Sequence, residues 1–193
     1  LEPNEEMTVN DLLKATVIGS ANDAATLLGE YISGSEEAFI NLMNERAKEL
    51  GMNNTHFENA TGLDDTSDTH LTTARDIGIM SCELLKYDFI RDYTTVWMDS
   101  LRDGKTELVN TNKLVRFYQG TTGLKTGTTS GAGYCLSATA ERENLSLVAV
   151  IMGGETSNDR FAGAKKLLDY GFANYAFQTV LPDIDEKMCV AVK

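Results

Sequence analysis

The hydrophobic pattern of this chain changes from helical to strand period at about residue 95, and that switch limits the fold more than any other feature of the sequence. Before it, apolar side chains recur at helical spacing. Thr8 followed by Asp11 makes a capping start, and Leu12, Leu13, Thr16 and Val17 give one apolar face ending at Gly19. A second helix is predicted from about Asn22 to Ile32, with Leu27, Leu28 and Tyr31 inward and Gly34 as its stop. Ser35 caps a third, where Phe39, Leu42, Met43, Ala47 and Leu50 keep helical spacing to Gly51. Residues 53–71 read as a loop rich in Asn, Asp, Thr and Gly, and Thr73 with Asp76 opens a fourth helix carrying Ile77, Met80, Leu84 and Leu85.

After the switch the pattern is that of strands. Asp103-Gly104 offers a hairpin turn between short strands within Val96 to Val109. Tyr134 to Glu141 alternates, Arg142-Glu143-Asn144 turns, and Leu145 to Met152 is a nearly unbroken apolar strand. Asn158 is the expected cap of a last helix that buries Phe161, Ala164, Leu167, Leu168 and Phe172. Helices, then antiparallel strands, then a closing helix predict an α+β fold and exclude the alternating order of a nucleotide-binding sheet.

Composition narrows the function. The 193 residues are 42% apolar and 24% charged, enough for one domain with a core. A net charge of −12 argues against a nucleic-acid partner, which requires a basic face. The longest apolar run, LVAVIM, is strand-sized and far below a membrane span. Cys82, Cys135 and Cys189 are scattered, which disfavours a disulfide framework or a zinc ribbon; Cys135 reads as a small buried hydrophobe in a strand. The opening LEPNEEMTV has neither initiator Met nor signal-peptide pattern and reads as a cut.

Chemistry concentrates in TTGLKTGTTSGAGY, residues 121–134, where Lys125 stands among Gly, Thr and Ser ahead of the alternating stretch. A phosphate loop would need glycine directly before the lysine and a helix after it; Leu124 intervenes and a strand follows, so that reading fails. A surface lysine in a glycine-rich turn remains an alternative on this stretch alone. Upstream, Ser20-Ala21-Asn22 lies between two helices and could be a helix cap. S-x-N on an interhelical loop together with K-T-G at a strand is also a pair used by serine acyl-transfer enzymes that lack histidine. Competing chemistries find little support. His56 and His70 lie outside metalloprotease or hydrolase motifs, DDTSD lacks the glycine and closing glutamate of a calcium loop, and no spacing among the 29 carboxylates selects a glycosidase pair. No metal or cofactor is expected.

Seven blocks stand in an order that resembles the serine D-Ala-D-Ala carboxypeptidases, the low-molecular-mass penicillin-binding proteins of peptidase family S11. They are EEMTVNDLLKATVIGSANDAA, FINLMNERAKELGMNNTHFENATGLDD, HLTTARDIGIM, NTNKLV, GTTGLKTGTTSGAGYCLSATA, VAVIMGG and RFAGAKKLLDYGF. The resemblance implies a β-lactamase/DD-peptidase-like α+β fold, an antiparallel sheet packed against a helical cluster, incomplete because the first strands are absent. It implies a partial catalytic domain over 1–176, helical over about 8–90 and with sheet and closing helix over about 94–176. Residues 177–193 would be a connection into a β-rich second domain.

The resemblance also assigns roles. Ser20 would be a proton-shuttling hydroxyl, since a hydroxyl both donates and accepts. Asn22 would hold the family's catalytic lysine and the substrate amide. Lys125 would face the terminal carboxylate of D-Ala-D-Ala, Thr126 would add a hydroxyl bond, and Gly127 would let substrate lie against the strand edge. The Thr128 N–H would be an oxyanion donor, and Arg160 would assist at the carboxylate. The implied partners are peptidoglycan stem peptides and β-lactam antibiotics, outside the cytoplasmic membrane, with a membrane tether only through a C-terminal segment not in this chain. One departure is large. The family's S-x-x-K lies roughly sixty residues ahead of S-x-N, only 19 residues precede Ser20, and no serine here has lysine at the third following position. The chain alone is therefore expected to be inactive and not to be acylated by penicillin. Two rivals remain: a β-lactamase relative, and a non-catalytic muropeptide- or partner-binding module.

Overall fold

Short side-chain caps begin the helices where polar residues precede the apolar stripes. The computed structural model describes residues 1–2, 4–63 and 68–176. Thr8 accepts the Asp11 N–H (3.0 Å) to start α1, Val9–Val17. Ser35 accepts the Ala38 N–H (3.1 Å) for α3, Glu36–Glu49, and Thr73 the Asp76 N–H (3.1 Å) for α4, Ala74–Leu84. Between α1 and α3 lies α2, Asn22–Ser33, which ends on Gly34 at φ 83°, a left-handed conformation that glycine adopts without cost.

Two expected inward residues lie outside: Tyr31 is 72% exposed and Leu42 is 46% exposed. The loop after α3 is tied down by polar contacts. Asn44 makes a two-way bond with the Phe57 backbone (2.7 and 2.8 Å), and buried Asp76 accepts from the Asn54 N–H (2.9 Å) and Thr55 hydroxyl (2.8 Å). His70 accepts the Glu58 N–H and meets Phe57 edge-on, a packing role. Most of DDTSD lies outside the described residues.

A 3₁₀ turn, Asp88–Ile90, and the short α5, Arg91–Thr94, lead into an antiparallel hairpin of β1, Met98–Leu101, and β2, Thr106–Val109. Its turn places Arg102, Asp103 and Gly104 at positive φ, in line with the Asp-Gly signal. After the single turn α6, Leu114–Phe117, comes a three-stranded antiparallel sheet in the order β3-β4-β5, with β3 Thr121–Thr129, β4 Gly133–Arg142 and β5 Leu145–Gly154. Lys125 therefore lies inside a strand, neither in a turn nor ahead of one. Gly and Thr give β3 no alternating apolar pattern; its extended state comes from pairing with β4, Lys125 opposite Ser137.

The closing helix α7, Ser157–Asn174, is capped by Thr156, not by Asn158. Thr156 sits three residues before Asp159 and so completes a reciprocal capping box, which Asn158 cannot. Leu167 is 50% exposed rather than inward, while Phe161, Ala164 and Leu168 pack on Leu136, Ala138 and Ala140 of one β4 face. Cys135 is half-buried in β4, less enclosed than expected, with its thiol 3.4 Å from the Ala132 carbonyl. Residues 177–193, the expected connection, lie outside the described residues.

Among the described residues there are thus two hydrophobic cores. One joins α7 to the sheet; the other packs Leu12, Ala15, Ile18 and Ala24 of α1 and α2 against Leu101 and Leu108 of the hairpin. The connection from β2 to α6 runs between them, along the outer edge of β3.

Candidate active site

The turn between α1 and α2 meets the middle of β3. Backbone bonding from the Ala21 N–H to the Ala15 carbonyl (3.0 Å) closes that turn tightly, and Ser20 takes φ 58°. Left-handed geometry is uncommon for a residue with a side chain and marks a position held by its surroundings. From there the Ser20 hydroxyl accepts a hydrogen bond from Lys125 Nζ at 2.6 Å, across 105 residues of sequence. Lys125 also donates to the Thr126 carbonyl at 3.0 Å. Asn22 stands exposed in the first turn of α2, two positions from Ser20 and outside this bonded group.

Burial, followed by the charge of Arg160, pushes the Lys125 ammonium down to about 8. Burial also lowers Arg160 below the usual guanidinium value. Arg160, expected to assist at the carboxylate, is 7% exposed and turns its Nη1 toward the strand ends. It donates to the Gly127 carbonyl (3.0 Å), the Thr128 hydroxyl (3.0 Å) and the Cys135 carbonyl (3.3 Å). The guanidinium carbon lies 5.3 and 5.0 Å from the centroids of the Tyr134 and Phe161 rings. Gly127 and Thr128 are themselves exposed, so the strand end is gripped by Arg160 and open to solvent on its other side.

Thr126, nearly buried, has its hydroxyl 2.7 Å from that of Thr111, a residue to which sequence reasoning gave no role. Its only sequence signal is the pair of asparagines that flank it, Asn110 and Asn112. Ser20, Lys125, Thr126, Gly127, Thr128 and Arg160 therefore form one continuous group, three hydroxyls and two cations around the exposed end of β3. Such a group can hold an anion beside a hydroxyl able to pass a proton. Among the described residues no cluster of three or more His, Cys, Asp or Glu side chains could hold a metal, and no helix is long and apolar enough to cross a membrane.

Comparison with known proteins gives one consistent result. The sequence model of the D-alanyl-D-alanine carboxypeptidase family, peptidase S11, matches residues 1–156. D-alanyl-D-alanine carboxypeptidase DacF of Bacillus subtilis is 49% identical over 178 residues, covering 91% of this chain and 45% of the relative. DacC of Escherichia coli is 38% identical over 183 residues, covering 94% and 44%. In three dimensions the chain resembles a cefotaxime-bound penicillin-binding protein from Listeria monocytogenes, with a TM-score of 0.80 and 36% identity over 86% of this chain and 67% of that one. The chain spans a little under half the length of the curated relatives it matches.

Proposed function

This chain belongs to the D-alanyl-D-alanine carboxypeptidase family, peptidase S11, and from that premise we propose that the protein removes the terminal D-Ala from peptidoglycan stem peptides through a serine acyl-enzyme. The contact of Ser20 with Lys125 at 2.6 Å carries the proposal. A helix-capping serine and a turn lysine have no reason to meet, whereas a proton shuttle and a carboxylate anchor for one short substrate must converge.

Lys125 donates to Ser20 Oγ, which leaves the Ser20 proton free to point elsewhere. In acylation the serine of the S-x-x-K pair gives its proton to that pair's lysine as its oxygen bonds to the penultimate carbonyl carbon, the C–N bond breaks, and the departing D-Ala amine takes the Ser20 proton. Ser20 recovers a proton from the lysine of the S-x-x-K pair. That pair is not among these 193 residues, so the roles assigned here are those of shuttle, anchor and strand edge. Asn22 would hold the substrate amide, Lys125 and Thr126 its terminal carboxylate, and the Thr128 N–H the oxyanion. Gly127, without a side chain, lets the peptide approach the strand as an added one. Arg160 supports this edge through the Gly127 carbonyl and the Thr128 hydroxyl. Peptide substrate and β-lactam would compete for the same place, outside the cytoplasmic membrane.

The test uses the full-length protein: release of D-Ala from a D-Ala-D-Ala peptide, and covalent labelling by a fluorescent penicillin that the peptide slows. Absence of both from folded protein would refute the reading. Reversible binding of muropeptides without labelling would favour the non-catalytic module instead.

A further inference from the structure

Thr111 is held from both sides. Asn110 is 2% and Asn112 0% exposed, and burying amides is costly unless their polar groups find partners. The Asn110 side chain donates to the Val96 carbonyl (2.8 Å) and to the Thr94 carbonyl (3.4 Å), and accepts the Asn112 N–H (2.9 Å). The Asn112 side chain donates to the Gly123 carbonyl of β3 (3.0 Å) and accepts the Leu114 N–H (3.1 Å). Two satisfied, buried amides thus fix the backbone on either side of one threonine. That threonine accepts the hydroxyl proton of Thr126, next in sequence to Lys125, at 2.7 Å.

We propose that Thr111 is a positioning residue for a terminal carboxylate: its hydroxyl orients that of Thr126, which receives the anion together with Lys125. The inference rests on the reading of the site given under Proposed function. A hydroxyl has one proton and two acceptor positions. As the site stands Thr126 donates to Thr111 Oγ; when a carboxylate takes the Thr126 proton the pair reverses, the Thr111 O–H donating to Thr126 Oγ, and the chain of bonds strengthens Thr126 as a donor. The asparagine bracket supplies the preorganisation that makes this bond available before any ligand arrives.

The experiment compares wild type, Thr111→Val, Thr111→Ser, Thr126→Val and the Thr111→Val/Thr126→Val double variant in the full-length protein. Thr111→Ala stands in should valine prevent folding. The substrates are one D-Ala-D-Ala peptide with a free carboxylate and the same peptide as its C-terminal amide. Thr111→Val is expected to lower kcat/KM for the free acid by about threefold to tenfold, the worth of one neutral hydrogen bond, mainly through KM. Serine should restore it, and the ratio of variant to wild type for the amide should be near one. The double variant should be no worse than Thr126→Val, because Thr111 acts through Thr126. An active wild type with unaltered Thr111→Val kinetics, additive losses, or equal losses on acid and amide overturns the role of Thr111 alone. A folded but inactive wild type overturns the proposed function, and this inference with it.

Discussion

β3 behaves as two different structures along its length. From Thr121 to Thr126 its residues are buried or half-buried, and its outer edge is strapped. Thr94 donates to the Thr122 carbonyl (2.6 Å), Asn112 to the Gly123 carbonyl (3.0 Å), and Thr111 meets Thr126. From Gly127 the strand comes into the open: Gly127 and Thr128 are exposed, and Arg160 grips them from α7. The closed half fixes where the open half begins, and Lys125 stands at the boundary. The contrast teaches that this site is built by rigidity on one side of the lysine and access on the other.

The most disruptive way to break the contrast is to unfasten the closed half. Asn112→Leu keeps the volume but leaves the Gly123 carbonyl and the Leu114 N–H without their partners. We predict a loss of about 2–4 kcal/mol in urea unfolding, since each buried polar group left unpaired costs about 1–3 kcal/mol. A loss under about 0.5 kcal/mol would mean that the strap does not hold the strand.

At the boundary, Lys125→Ala removes a charge-assisted bond to a carboxylate worth about 1.5–3 kcal/mol, so penicillin acylation and peptide kcat/KM should fall by about tenfold to a hundredfold. Stability should not fall with them, because the lost ammonium is desolvated and lies near the like charge of Arg160. If kcat/KM stays at the wild-type value, the carboxylate anchor is misassigned. If unfolding midpoint and activity drop together, the lysine belongs to the closed half.

The titration of the same lysine sharpens this further. Its value of about 8 lies below the ordinary 10.5, so it loses its charge as pH rises through 8. Affinity for N-acetyl-D-Ala-D-Ala should be level below pH 8 and then weaken toward tenfold per pH unit above it. Lys125→Arg, which stays charged, should remove that inflection. Stability carries the opposite sign. Between about pH 8 and 10.5 the unfolded chain holds the proton that the folded chain has released, so this group makes unfolding harder as pH rises. Calorimetric titration across pH 6.5–9.5 reads the affinity (about one to two units either side of the lysine value); an affinity indifferent to pH would show that Lys125 does not carry the anion.

Local signals in the sequence proved sufficient for local structure. Thr8, Ser35 and Thr73 each cap the helix they precede, Gly34 ends α2, and Asp103-Gly104 turns the hairpin. What the sequence hid depends on distant partners. β3 has no strand pattern of its own and is extended because β4 pairs with it. In ETSND several residues can cap a helix, and only the position of Asp159 decides for Thr156. Tyr31 and Leu167 keep helical spacing yet stand exposed. For the site, S-x-N and K-T-G were readable through family resemblance. The positive φ of Ser20, the turn of Arg160 toward the strand carbonyls, and the bracketed Thr111 were not, because each is set by contacts far along the chain.

The smallest predicted effect tests the boundary most finely. Thr126→Ser keeps the hydroxyl that meets Thr111 and deletes one methyl group at a nearly buried position. Without its second branch the side chain samples more rotamers, so the hydroxyl is less firmly held, and the strand loses some β preference. Both costs are small, because Thr111 is fixed by its asparagines and still offers the same partner. We therefore expect kcat/KM within about threefold of wild type, well short of the loss of one hydrogen bond. Unfolding should ease by no more than about 1 kcal/mol, the order expected for one buried methyl. A kinetic loss as large as that of Thr126→Val would place the importance of Thr126 in its methyl packing and not in its hydroxyl, and Thr126 would then serve the closed half of β3 alone.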